Sequence, residues 1–143
     1  MIPSPIDRTA IIFRLLFSFS LLVLVTACGP AQENLRINSV KHFKQGNHYF
    51  EQKNYLKALD EYDAAIQLDK TQAVYFYNRG LTLHQLRMYR QAEKAYLQAL
   101  EIDETLAEAW HNLALVYDKL GESERAFMSY EKYQKQIGST QSN

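Results

Sequence analysis

The sequence predicts an all-α fold, a right-handed α-solenoid of three helix pairs that begins near Ser39. Small residues recur at a step of 34 positions in two slots, Gly46, Gly80 and Ala114 in one and Ala58, Ala92 and Ala126 in the other. Large residues keep the same step in three further slots, namely Tyr49, Leu83 and Tyr117; Tyr62, Tyr96 and Tyr130; and His42, Phe76 and Trp110. A fixed period of this length indicates stacked supersecondary units rather than one closed globule. Such arrays carry an extended binding surface, which predicts that the partner is another polypeptide.

The first 27 residues are predicted to be an export signal rather than part of the fold. Two arginines give a positive start, residues 15–25 form an apolar run, and Thr26 and Ala27 form a small-residue end. A secretory signal peptide has these three regions in this order. A membrane-spanning helix is the weaker alternative, because a span needs about 20 apolar residues and the uncharged run covers only residues 15–27.

The end of this leader carries a resemblance. Val25-Thr26-Ala27-Cys28 resembles the bacterial lipobox, in which the cysteine receives diacylglycerol before signal peptidase II cuts in front of it. Two or more acyl chains hold a protein at a bilayer, so the resemblance implies an exported protein anchored through Cys28. Gly29 follows where an aspartate would be the retention signal of enteric bacteria, which favours the outer over the inner membrane.

The same region also predicts how the anchor is joined to the repeats, and it leaves a second mode of anchoring open. Residues 28–38 are interpreted as the acylated cysteine and a flexible tether, because Pro30 discourages helix at its start. If cleavage fails, residues 11–27 would instead anchor the chain directly. The chain has one cysteine, so it cannot form an intrachain disulfide.

The repeats divide into helix pairs in chain order. The repeat boundaries are residues 39–72, 73–106 and 107–137, followed by a disordered tail at 138–143. The predicted helices are 37–52 and 55–68, 73–86 and 89–102, and 107–120 and 123–137. In the second repeat, for example, spacings of three and four place Phe76, Gly80 and Leu83 on one face of the first helix.

Residues at the helix boundaries supply local reasons for the turns. Thr105 with Glu108 fits a capping box at the start of the fifth helix. Asn54 and Gly121 suit the left-handed turn that ends a first helix. The equivalent turn at 87–88 has no such residue, so its neighbours must impose it.

These slots resemble the tetratricopeptide repeat over residues 39–135. The resemblance is carried by Phe76-x-x-Arg79-Gly80-x-x-Leu83 with Ala92-x-x-x-Tyr96-x-x-Ala99, and by Trp110-x-x-Leu113-Ala114-x-x-Tyr117. The family's proline near each repeat end is absent, with Lys70 and Glu104 in its place. Gln134 replaces the aliphatic residue of the earlier repeats, which is typical of a terminal capping helix.

In this family the first helix of each pair lines the groove, so the resemblance implies which residues contact a peptide. The outward slots hold Lys44, Asn78 and Asn112 in one row and Asn47, Leu81 and Leu115 in the next, and the four polar residues among them are the predicted contacts. An amide both donates and accepts, so asparagine can bind a peptide backbone without recognising its sequence. The alternative is that all four are ordinary solvated helix positions.

Chaperone-binding members of the family hold a C-terminal carboxylate with two asparagines and several basic residues. Asn47 and Asn78 match the two asparagine positions, but Phe43, Glu108 and Asn112 occupy the basic ones. A free carboxylate gains little without those cations. The sequence therefore predicts that an Hsp70 or Hsp90 C-terminal peptide is not the ligand.

Composition excludes several other classes of function. The chain has 16 basic and 16 acidic residues and no basic stripe, so we expect no nucleic-acid partner. We expect no enzyme, because no phosphate-binding loop, His-Glu-x-x-His or Gly-x-Ser-x-Gly occurs. The four histidines lack paired ligands at metal-binding spacing, so neither a metal nor another cofactor is predicted.

The last helix offers an alternative of a different class. It carries four large apolar or aromatic residues that need cover, Phe127, Met128, Tyr130 and Tyr133. An exposed remainder of this stripe would suit a homodimer. The alternative to a peptide-binding module is therefore a self-associating structural lipoprotein without a peptide ligand.

Overall fold

The computed structural model describes residues 31–140, with side chains to residue 138, and this part of the chain forms six helices and no strand. The helices are α1 (residues 31–51), α2 (Tyr55–Leu68), α3 (Ala73–Gln85), α4 (Tyr89–Ile102), α5 (Ala107–Leu120) and α6 (Ser123–Thr140). The predicted all-α fold of three helix pairs is thereby confirmed. The predicted leader, Cys28 and Gly29 lie outside the described residues.

The repeats lie in a compact unit that begins at Arg36. None of the described helices is both long and apolar enough to span a bilayer. The core of the repeat unit is continuous through the second and third repeats, with these residues at its centre: Leu83, Ala92, Ala95, Tyr96, Leu100, Ala109, Leu113, Val116, Tyr117 and Ala126.

Both ends of the helical region extend beyond the predicted limits. Residues 31–38 are helical, so the prediction of a flexible tether is wrong for them. Ala31, Glu33 and Leu35 are good helix formers, and neither glycine nor proline occurs between residues 31 and 45 to stop the helix. At the other end α6 continues to Thr140, so the predicted tail is helical at residues 138–140, and residues 141–143 lie outside the described part.

The turn inside each repeat uses one left-handed residue at the same slot. Lys53 and Arg87 have φ 59° and Gly121 has φ 75°, and these three positions are 34 residues apart. The prediction for Gly121 is confirmed, whereas that for Asn54 is wrong, since Asn54 has φ −84°. Non-glycine residues pay about 1–2 kcal/mol in this conformation. The neighbouring repeats impose it nevertheless.

The same hydrogen bond closes each of these turns. The backbone N–H of Asn54 donates to the carbonyl of Tyr49, that of Met88 to Leu83, and that of Glu122 to Tyr117, each at 2.9 Å. This bond returns to an otherwise unpaired carbonyl of the last helical turn. It explains why the turn at residues 87–88 forms without glycine.

The connections between repeats use aspartate and threonine rather than proline. The Thr105 hydroxyl donates to Asp103 Oδ1 at 2.6 Å, and the Thr105 N–H donates to the same oxygen at 2.9 Å. Asp69 and Thr71 repeat both bonds at the same lengths. The predicted capping box of Thr105 is therefore wrong. Its hydroxyl bonds to Asp103, and Leu106 occupies the N-cap position of α5 without a side-chain hydrogen bond. Such a side-chain turn restricts the chain where the family's proline is missing.

Glycine on the first helix allows a tyrosine ring of the second helix to lie against the backbone. A Cβ added to Gly46 would lie 2.6 Å from Cε1 of Tyr62, and one added to Gly80 would lie 2.6 Å from Cε1 of Tyr96. Both rings are buried, with 1% and 0% exposure. The third repeat has Ala114 in this slot, and there the tyrosine ring is 46% exposed.

The hydroxyls of the two buried rings differ. Tyr62 Oη donates to Asn47 Oδ1 at 2.8 Å. Tyr96 Oη is buried and has no partner among the described residues, because Leu81 stands where the first repeat has Asn47. Burial raises the pKa of Tyr62 to about 12, so its phenol keeps its proton and remains a donor at neutral pH.

We predict that Gly80→Ala destabilises the protein although alanine is the better helix former. The added methyl overlaps the Tyr96 ring, and overpacking of this kind costs about 1–3 kcal/mol. Ala114→Gly is the reverse change at a slot without a seated ring, where the helix-propensity difference of about 1 kcal/mol and the loss of one buried methyl group both destabilise. Urea denaturation followed by circular dichroism measures both. A Gly80→Ala variant at least as stable as the wild type would contradict the steric explanation.

A second prediction compares the two tyrosine hydroxyls. Tyr62→Phe should lower the free energy of unfolding by about 1 kcal/mol, because a hydrogen bond to Asn47 is lost. Tyr96→Phe should be neutral or stabilising by up to about 1 kcal/mol, because it removes a buried hydroxyl that has no partner. The same denaturation experiment tests the pair. Equal losses in both variants would show that the hydrogen bond to Asn47 contributes nothing specific.

Candidate functional site

Two of the four predicted contact residues meet at the junction of the first three helices. Asn78 Nδ2 on α3 donates to Asn47 Oδ1 on α1 at 2.9 Å. The same oxygen accepts the Tyr62 hydroxyl from α2. One carbonyl oxygen therefore joins three helices, and it is held in place by two donors.

A pocket of about 180 Å³ opens beside this amide pair. Its lining residues are Asn47, Phe50 and Glu51 of α1, Tyr62 of α2, and Asn78 and Leu81 of α3. Phe50 is half-buried and packs edge-on against Tyr55 with 5.5 Å between ring centroids. The pocket thus combines apolar walls with two amides, a phenol and a carboxylate.

The other two predicted contact residues are not part of this pocket. Asn112 lies one repeat further on, where its Nδ2 donates to Tyr77 Oη at 3.1 Å and to the Glu108 carbonyl at 2.9 Å. It finds no asparagine there because Leu81 occupies the partner slot. Lys44 is in the same row on α1 and is exposed. Lys44 and Asn112 therefore stay predicted peptide contacts outside the pocket.

The positions that would carry cations in a carboxylate-binding groove have other roles here. The Phe43 ring packs against Tyr75 at 4.8 Å and against Tyr62 at 5.9 Å between centroids. Glu108 is exposed, and the Asn112 side-chain amide donates to the Glu108 carbonyl on its own helix. These three positions offer an aromatic ring, a carboxylate and an amide where an acidic ligand would need positive charge, and Lys44 is the exposed cation of the neighbouring slot on α1.

The electrostatics of this face agree with that composition. The pKa of the Tyr62 phenol is raised first by burial and further by the negative charge of Glu51. The pKa of Tyr77 is raised by burial and by Glu108. The pKa of His84 is lowered by burial and by Lys119. Both phenols therefore keep their protons at neutral pH, where Tyr62 donates to Asn47 and Tyr77 accepts from Asn112.

The last helix exposes its large side chains on two different sides. Phe127 and Tyr130 border a pocket of about 350 Å³ at the end of the array, together with Leu115. Met128 instead lines a separate pocket of about 200 Å³ with Leu97. Phe127, Met128 and Tyr130 are 63%, 58% and 46% exposed. The stripe predicted from sequence is therefore divided between two surfaces.

Tyr133, the fourth member of that stripe, packs inward. Its ring lies 5.0 Å from that of His111 between centroids. In the first two repeats this slot holds alanine, at Ala65 and Ala99. The larger residue fills space that the final repeat would otherwise leave open.

The sequence prediction missed three lining residues, Phe50, Glu51 and Tyr62, whereas Leu81 belongs to the predicted row of Asn47. Phe50 and Glu51 follow Asn47 by three and four positions, which places them on the same helix face. That spacing could have identified them. Within residues 31–138, no three histidine, cysteine, aspartate or glutamate side chains come close enough to hold a metal ion.

Profiles of known families match three overlapping segments of the chain. A TPR repeat profile matches residues 46–86, and tetratricopeptide repeat profiles match residues 73–106 and 95–127. Together these matches run from the first helix pair into the last. They contain every slot residue that defines the period except His42 and Tyr130.

One curated relative has a similar segment. Serine/threonine-protein phosphatase T of Saccharomyces cerevisiae is 41% identical over 44 residues, which is 31% of this chain. The chain spans only 9% of that relative's length. The similarity is therefore confined to part of the repeats.

Solved structures extend the similarity to most of the chain. The second TPR of Spaghetti (RPAP3), bound to the HSP90 peptide SRMEEVD, has a TM-score of 0.70 and 25% identity, covering 73% of this chain and 95% of that one. MamA has a TM-score of 0.66 and 28% identity, covering 67% and 56%. The Arabidopsis OM64 TPR domain has a TM-score of 0.71 and 23% identity, covering 73% and 87%, and shows the fold alone. Residues 46–127 are therefore tetratricopeptide repeats, and the fold is an all-α tetratricopeptide solenoid.

Proposed function

We propose that this protein is a membrane-tethered interaction module that binds a segment of another protein along α1, α3 and α5. The observation that carries the proposal is the pocket at Asn47 and Asn78, where two fixed amides lie between the apolar side chains of Phe50 and Leu81. The related TPR of Spaghetti (RPAP3) is itself bound to a peptide, which supports this use of the fold.

The amides provide the chemistry that an extended peptide needs. Asn47 Oδ1 is already bonded twice, which leaves the Asn47 amide N–H and Asn78 Oδ1 for a ligand. Asn112 donates twice through Nδ2, which leaves its carbonyl oxygen. A peptide backbone offers both a donor and an acceptor at each residue. These side chains can therefore bind it without a charged partner.

The proposed setting is the cell envelope. The lipobox-like sequence at Cys28 supports export and a lipid anchor, and Gly29 supports the outer membrane. A tethered groove would serve as an assembly or scaffold factor and not as an enzyme. Tethering also raises the effective concentration near membrane partners, which compensates for the short groove of three repeats.

A second candidate function is favoured by the exposed last helix. Phe127 and Met128 are more than half exposed, and large exposed apolar side chains on one helix suit self-association. A structural lipoprotein that binds its own copies would show a molar mass that rises with concentration in detergent. A monomer that captures a defined peptide would argue against it.

We predict that Asn78→Ala/Asn112→Ala loses partner capture in a crosslinking pull-down from intact membranes. Loss of about thirtyfold is expected, because two amide hydrogen bonds at about 1 kcal/mol each contribute about 2 kcal/mol. Gln91→Ala/Gln98→Ala is the matched control, since it removes two amides from a pocket on α4 that Asn78 and Asn112 do not line. Equal capture by all three proteins would place the interface outside the groove.

The lipid anchor gives a separate prediction. Cys28→Ser should abolish incorporation of labelled palmitate and leave the leader uncleaved, because the thiol is the acyl acceptor in the lipobox reaction. Mass spectrometry of the purified protein measures both. An unchanged mass and membrane fraction in the variant would favour the alternative in which residues 11–27 anchor the chain. Gly29→Asp serves as the control, because it should change the membrane in an enteric host but not the acylation.

A further inference from the structure

We propose that the pocket at Asn47 and Asn78 selects a basic side chain, lysine or arginine, of the bound segment, with Glu51 as its counter-charge. This inference rests on the proposed function and adds a chemical class of ligand to it. It concerns one pocket, whose lining residues all belong to the described part of the chain.

The hydrogen bonds within the pocket determine which atoms remain for a ligand. Asn47 Oδ1 accepts from Tyr62 Oη and from Asn78 Nδ2. Asn78 Oδ1 and the Glu51 carboxylate are then two acceptors of residues that line the same pocket, and the neutral Asn47 amide N–H remains as a donor beside them. An ammonium or guanidinium group carries only donors. It therefore matches this pair, whereas a carboxylate would face two acceptors.

The apolar walls fit the stem of a long basic side chain. Phe50 and Leu81 line the pocket and are half-buried. Lysine and arginine bury their methylene stems along apolar surface and keep the charged end in a polar region. The Phe50 ring can also attract a cation over its face. A volume of about 180 Å³ accommodates one such side chain.

The charges around the pocket favour a cation. Glu51 is the one charged residue among those that line it. Glu51 and Tyr62 line the same pocket, which brings the carboxylate to the side of the amide pair. On α5, Glu108 is exposed where a carboxylate-binding groove would have a cation. An acidic ligand would therefore be repelled at both places.

Comparison between repeats shows that this pocket is particular to the first junction. One repeat further on, Leu81 replaces Asn47 and Gln85 replaces Glu51. The Tyr96 hydroxyl there has no partner within the described chain. The second junction thus lacks both the fixed amide pair and the charge. A single charged pocket would set the register of an otherwise backbone-bound segment.

The experiment uses the full acylated chain in detergent and a library of randomised, terminally blocked nine-residue peptides. We expect the wild type to enrich lysine or arginine at one position, and Glu51→Gln to lose this preference. Glu101→Gln, the same charge change on an exposed residue of α4, should retain it. Because Glu51 is exposed at the end of α1, its substitution should leave the circular dichroism spectrum unchanged.

An enriched peptide then allows a direct measurement. Replacing its basic residue by norleucine should weaken binding to the wild type about tenfold, as expected for a hydrogen bond to a charged group. Against Glu51→Gln the same replacement should have little effect, which would identify Glu51 as the partner of the basic side chain. For the wild type, the difference in affinity between the basic peptide and the norleucine peptide should decrease as the salt concentration is raised, since the pocket is partly open to solvent.

The outcomes separate the two proposals. Enrichment without a basic preference, or a basic preference that Glu51→Gln leaves unchanged, would overturn this inference and leave the proposed function standing. Enrichment of acidic residues at this position would overturn it as well. Failure to enrich any peptide would count against the peptide-binding function itself.

Discussion

The contact between a tyrosine ring of the second helix and the backbone of a glycine on the first sets the spacing within the first two repeats. A Cβ at Gly46 or Gly80 would approach the ring within 2.6 Å, so the pair of helices can be this close only without one. The ring is then buried, and its hydroxyl reaches the face formed by α1 and α3. The candidate site depends on this geometry, because Tyr62 supplies one of the two donors that hold Asn47 in place.

The repeats share this scaffold but differ in the polar groups placed upon it. At the first junction the tyrosine hydroxyl meets an asparagine, whereas at the second it meets no partner in the described structure. In the third repeat Ala114 replaces the glycine, and the ring of Tyr130 is largely exposed. Changes at equivalent slots thus give three different environments: a polar pocket in the first repeat, a buried hydroxyl without a partner among the described residues in the second, and an exposed aromatic side chain in the third. The chemical character of the array therefore changes along its length.

The turns show that the fold tolerates unusual residues when the surrounding helices determine the backbone. Lys53 and Arg87 adopt positive φ at the slot where the third repeat has glycine. The Asp-x-Thr turns replace the missing proline by two hydrogen bonds to one carboxylate oxygen. In both cases a local preference is overridden or replaced because packing on either side of the turn is worth more than the local cost.

The sequence by itself determined the period, the helix pairs and the small and large slots, because side-chain volume and helical spacing are local properties that repeat along the chain. It also identified Asn47 and Asn78 as members of one face. Only the tertiary structure decided that these two amides bond to each other across 31 residues, and that Tyr62, Glu51 and Leu81 complete a pocket around them. The reason is that a hydrogen bond needs its atoms within about 3 Å. That distance depends on how closely the helices cross, which no single helix determines. The sequence predicts too late a start for α1, because Pro30 discourages helix, whereas α1 begins at residue 31 and no helix-breaking residue follows before Gly46.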